Sequence, residues 1–67
     1  MSVARITEIS ATSTKGFEAA IKAGISRATK TLKNVKGAWV HGMKLDIENG
    51  KIRSYRVDMK ITFVLED

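Results

Sequence analysis

The sequence contains no cysteine and a single histidine. The first absence excludes disulfides, and the two together argue against a structural zinc site. They also remove any thiol nucleophile and leave His41 without an obvious catalytic partner. The five glycines are dispersed, so no glycine-rich phosphate loop is present. Serine and threonine concentrate in one segment, Ser10 to Thr14, which has the character of a helix-capping connector. These features argue against an enzyme. Met1 to Ile9 alternates polar and apolar residues and has no continuous apolar core. That predicts neither a signal peptide nor a membrane span. The expectation is a soluble, cytoplasmic protein, and the missing cysteine fits a reducing compartment.

The chain has 67 residues and reads as one domain, 1–67, without repeats or linkers. A domain this small buries a modest fraction of its unfolded surface. Such scaffolds usually need disulfides, a metal or self-association. With the first two removed, self-association is the expected support. The formal net charge is +5. A basic balance can attract nucleic acid or a phosphorylated small molecule. Here the basic residues are scattered over every segment. The charge therefore predicts salt-sensitive, nonspecific contact with polyanions and no specific nucleic-acid partner.

The longest ordered pattern is Lys51 to Glu66. Tyr55, Val57, Met59, Ile61, Phe63 and Leu65 fall on one face. Ser54, Arg56, Asp58, Lys60, Thr62 and Glu66 fall on the other, with Val64 as the one apolar exception. Strict alternation predicts a strand, because successive side chains point to opposite sides of a sheet. Its length predicts the central position. Val3 to Ile9 alternates as a first strand. Lys15 to Asn34 predicts a helix, with Phe17, Ala20, Ile21, Gly24, Ile25, Ala28 and Leu32 on its apolar stripe. Ser13 or Thr14 is the expected cap, and Lys30 and Lys33 suit the negative end of the helix dipole. Gly24 on the apolar stripe predicts close approach of helix to sheet.

Lys36 to Ile47 predicts a second strand, with Ala38 and Val40 on one face. Without a bulge, Gly37, Trp39, His41, Met43, Leu45 and Ile47 share the other. Asn49-Gly50 suits a tight hairpin turn into the third strand. The order is β-α-β-β, an α+β fold with a three-stranded antiparallel sheet and one helix. One helix leaves a sheet face uncovered. Trp39, His41, Met43 and Leu45, beside Arg56, Asp58, Lys60 and Thr62, are placed there. Exposed apolar side chains rimmed by polar ones mark an interface or a ligand groove, and Trp is typical of interfaces.

The β-α-β-β order, the length and the segments RATKTLKNV (Arg27 to Val35) and YRVDMKITFVLE (Tyr55 to Glu66) resemble the dodecin family over nearly the whole chain. The resemblance implies a sheet wrapped around one helix and a hollow homododecamer. It implies pairs of flavins, riboflavin or FMN, bound at two-fold contacts for storage. Some members bind coenzyme A or ions instead. The flavin-stacking Trp of the family falls at Gly37 here, and the Gln that bonds the flavin falls at Arg56. Trp39, on the same face as Gly37, is the nearest aromatic. Trp39, Arg56, Gly37 and His41 are therefore the candidate cofactor-binding residues. Three readings stand: Trp39 stacks a flavin in a shifted pose, Trp39 fills the pocket itself, or another planar or anionic ligand is bound.

Overall fold

The computed structural model describes residues 3–65. Its elements are β1 (Ala4–Ser13), α1 (Phe17–Thr31), β2 (Val35–Glu48) and β3 (Lys51–Val64). The strands form one antiparallel sheet in the order β1-β3-β2, so β3 is central as its alternation predicts. Glu66, assigned above to the end of this strand, lies outside the described residues. The helix packs on one face. Val57, Met59 and Ile61 of β3 are fully buried beneath it, with Ala20 and Ala28 from α1. Ile9, Ala11, Phe17, Ile21, Ile25, Leu32, Val35 and Val40 close around them. The Phe17 and Tyr55 rings meet edge-on, with centroids 5.2 Å apart.

Three boundaries differ from the sequence expectation. Strand β1 runs on through Ser10 to Ser13, because those residues pair with Asp58 to Tyr55 of β3. Cross-strand pairing there overrides the capping preference of Ser and Thr. The helix is consequently capped at Gly16, whose φ of 150° suits glycine. Ser13 Oγ instead accepts the Lys15 backbone N–H at 3.0 Å. At the other end α1 stops at Thr31, and Leu32 is already extended. Asn34 takes a positive φ of 60°. Its carbonyl accepts the Val64 N–H at 3.1 Å, and its Nδ2 donates to the Val64 carbonyl at 3.4 Å. The helix ends early because its exit is tied to the end of β3. Of the two lysines expected in the last turn, only Lys30 lies in it.

The two faces of β2 also differ from simple alternation. The β2–β3 register shifts between Val40 and Gly42, so His41 and Gly42 together face Asp58. This bulge adds one residue to β2. Beyond it the parity reverses. Met43 and Leu45 pair with Val57 and Tyr55, whose side chains point to the helix side. They do not share a face with Trp39 and His41. They remain 54% and 44% exposed on the edge strand β2, because the helix lies mainly over β1 and β3. Its 15 residues span about 22 Å, whereas the 14 residues of β3 span about 46 Å. The β2–β3 hairpin therefore projects past the helix as an arm, with Ile47 and Ile52 exposed near its tip.

Gly24 sets how closely α1 meets the sheet. A Cβ there would lie 2.5 Å from Met59 Cε and 3.1 Å from Ala11 Cβ. Val at this position adds three carbons to a filled contact. Gly24→Val is expected to destabilise the protein by about 1–3 kcal/mol. Denaturant unfolding at matched protein concentration measures it; an unchanged midpoint contradicts the close packing.

Candidate functional site

The sheet face away from the helix is built in three rows. Glu8, Lys60 and Trp39 form one row across β1, β3 and β2. Ser10, Asp58 and the His41–Gly42 bulge form the next. Thr12, Arg56 and Lys44 form the third. Trp39 is 63% exposed. The Lys60 ammonium lies 5.3 Å from its ring centroid, within cation–π range. The His41 ring lies 5.8 Å from the Trp39 ring at an interplanar angle of 56°. His41 Nε2 is 3.0 Å from Glu8 Oε2.

The four candidate residues occupy different parts of this face. Trp39 and His41 are in contact. Gly37 faces Thr62, two pairs along from the Trp39 row, and a Cβ built on it meets nothing within 4 Å. Arg56 lies four residues from Lys60 along β3, about 13 Å at the usual strand rise. Its guanidinium is 3.8 Å from Asp46. Arg56 borders a polar recess of about 550 Å³ with Thr12, Asp46, Glu48 and Arg53. Within one chain, Trp39 and Arg56 share a face but make no common contact site.

The sequence reading did not place Glu8, Ser10 or Lys44 on this face. Glu8 carries a signal in hindsight: it alternates in step with Ala4 and Ile6, on the side away from the core. Ser10 was assigned to the connector, and the bulge that turns Lys44 outward has no reliable sequence mark. Lys44 Nζ is 3.5 Å from Asp58 Oδ2, and Ser54 Oγ donates to Asp46 Oδ2 at 2.6 Å. Among the described residues, no group of three or more His, Cys, Asp or Glu is arranged to hold a metal ion. No described helix is long and apolar enough to cross a membrane. A second concavity of about 410 Å³ lies on the helix side, between Ile9, Ala11, Gly24, Ala28 and Leu32 with Arg27 at its rim. It is mostly apolar, with Thr7, Ser10 and Thr31 as its other polar lining residues.

Asp58, in the middle row of this face, has its pKa displaced downward. A hydrogen bond from Ser10 holds its carboxyl below the ordinary 3.8, and Lys44 and His41 act in the same direction. A lowered folded pKa stabilises the protein above the unfolded value and loses that contribution as pH falls through the folded one. Ser10→Ala is expected to raise the Asp58 pKa, so that the loss begins at a higher pH on acidification. A carboxyl-carbon NMR titration reads this directly. An Asp58 midpoint unchanged in the variant contradicts the Ser10 bond.

Comparison with known proteins places this geometry. The sequence profile of the Dodecin family matches residues 3–66. A dodecin from Thermus thermophilus is 35% identical over 60 residues, covering 90% of this chain and 87% of the relative. A crystal structure of a T. thermophilus dodecin variant matches with a TM-score of 0.93 at 33% identity, covering all of both chains. A dodecin from Streptomyces davaonensis matches with a TM-score of 0.92 at 35% identity, covering 98% of this chain and 97% of that one. A Mycobacterium tuberculosis relative named calcium dodecin, described with a novel calcium-binding site, matches with a TM-score of 0.83 at 25% identity. That match covers 96% of this chain and 91% of the other.

Proposed function

The chain belongs to the dodecin family, and from that premise we propose that it binds and stores a flavin, riboflavin or FMN, as a homododecameric cage. The observation that carries the reading is Trp39. A tryptophan left 63% exposed on a sheet face is available to stack a planar ring. Lys60 lies over Trp39 and His41 stands beside it, and both can meet the polar edge of such a ring. Farther along the face, Lys44 and Arg56 are held only by surface ion pairs, which are weak and easily exchanged for a ligand's phosphate. A ligand with a planar ring and an extended polar tail fits this spacing.

A second reading is a dodecamer without flavin that holds ions or an anionic cofactor such as coenzyme A. Gly37 and Arg56 at the two family signature positions favour it, as does the calcium dodecin among the relatives. The Lys44–Arg56 row suits an anion.

Titration with riboflavin and with FMN, followed by flavin and Trp39 fluorescence, separates the two. Mutual quenching in the wild type supports flavin stacking; unquenched flavin at micromolar protein contradicts it. Trp39→Ala is expected to weaken binding by about three- to tenfold while the assembly keeps its mass in light scattering. Dissociation of the assembly instead assigns Trp39 to the subunit interface.

Gly37 has open space above it. The double change Gly37→Trp with Arg56→Gln is therefore expected to fold and to raise riboflavin affinity about threefold or more. Titration of the double variant checks this. No gain in a folded variant means that the family's flavin positions do not lie at 37 and 56.

A further inference from the structure

Glu8 and His41 face each other across the whole width of β3. Glu8 is on β1 and His41 on β2, with β3 between them. Two strand spacings separate their backbones, about 10 Å. Both side chains lean over the central strand to place His41 Nε2 at 3.0 Å from Glu8 Oε2. In register Glu8 stands opposite Lys60, yet its carboxylate lies against His41, and Lys60 lies over Trp39. A surface contact of this kind contributes little to folding stability and costs rotamer freedom in both side chains. The consequence of the pair lies in what it holds.

It holds His41 against the indole. The bulge sets His41 and Gly42 together opposite Asp58. A Cβ at Gly42 would lie 3.2 Å from Asp58 Oδ2, so glycine there lets the bulge close on that carboxylate. The imidazole stands between the Trp39 ring, 5.8 Å away, and the Glu8 carboxylate. Bulges of this kind aim side chains beside functional sites. The remaining charged groups around His41 are Asp58 and Lys60 on β3 and Lys44 on its own strand; α1 covers the opposite face of the sheet.

We infer that Glu8 and His41 are positioning residues for Trp39: the His41 Nε2–H bond to Glu8 braces the imidazole against the indole and fixes the orientation in which Trp39 takes a planar ligand. Lys60, over the indole, supplies the second restraint. The consequence for binding rests on the proposed stacking role of Trp39. The bracing itself belongs to the ligand-free protein.

Trp39 is the sole tryptophan, so its near-ultraviolet circular dichroism reports its orientation without ligand. Three variants are compared: Glu8→Ala, His41→Ala and Glu8→Gln. Gln keeps an oxygen that accepts the His41 bond; Ala does not. Both alanine variants are expected to lose most of the Trp39 dichroism and to weaken riboflavin binding roughly two- to tenfold, the cost of ordering one free side chain. Glu8→Gln is expected to keep both signals, and all three to keep the wild-type mass in light scattering. Full Trp39 dichroism in Glu8→Ala overturns the inference. So does dichroism lost together with mass, which marks an assembly contact. If wild-type protein binds no riboflavin, the stacking reading fails, while the ligand-free dichroism still decides whether the pair orients Trp39.

Discussion

The fold depends on a mismatch of length. One helix of 15 residues lies on a sheet whose two longer strands have 14 residues each. A strand rises more than twice as far per residue as a helix. The helix can therefore cover only about half of the hairpin. Under it, Val57, Met59 and Ile61 are sealed, and Gly24 lets α1 sit close to Met59 and Ala11. Beyond it, Ile47 and Ile52 are exposed near the hairpin tip, and beside it Met43 and Leu45 of the edge strand stay half-exposed on the apolar face. The opposite face has no helix at all. A chain of this size is marginal with so much apolar surface open, and copies of the chain are the proposed cover. That reasoning leads to the same place as the family membership.

The bulge at His41 and Gly42 divides the labour between the two faces. It sends Met43 and Leu45 to the helix side and Lys44 to the other. As a result the outer face carries one exposed aromatic group, Trp39, in a field of paired charges. Most of the charges there have a partner: Glu8 stands against His41, Lys44 against Asp58 and Arg56 against Asp46, while Lys60 lies over Trp39. Such pairs keep the face ordered at low energetic weight and are readily exchanged for a ligand's polar groups. The open space over Gly37 lies next to Trp39 on the same face. A flavin in the shifted pose would occupy this neighbourhood, and the face would do its work across contacts between copies.

Much of this was legible in the sequence, for physical reasons. The alternation from Tyr55 to Phe63 gave the central strand, its buried face and the sheet order, because a period of two has few other interpretations. Asn49-Gly50 marked the hairpin, and Asn49 does take a positive φ. Gly24 marked the close helix contact. What was misplaced depended on register. Ser10 to Ser13 look like a cap and form strand, since their pairing with β3 is a tertiary gain that local preference does not reveal. Met43 and Leu45 were put on the wrong face because one extra residue in β2 reverses all that follows. Glu8 escapes notice for another reason: its neighbour His41 lies two strands away. The pattern of a face survives in sequence, whereas the pairing that brings its residues together does not.

The central claim is that this chain completes its fold with copies of itself. The mass of the purified protein, by light scattering at low micromolar concentration, tests that most directly. An assembly near 89 kDa, twelve chains of 7.4 kDa, is the predicted result. A monodisperse, folded species at 7.4 kDa would contradict it, because the arm and the outer face would then be stable without cover.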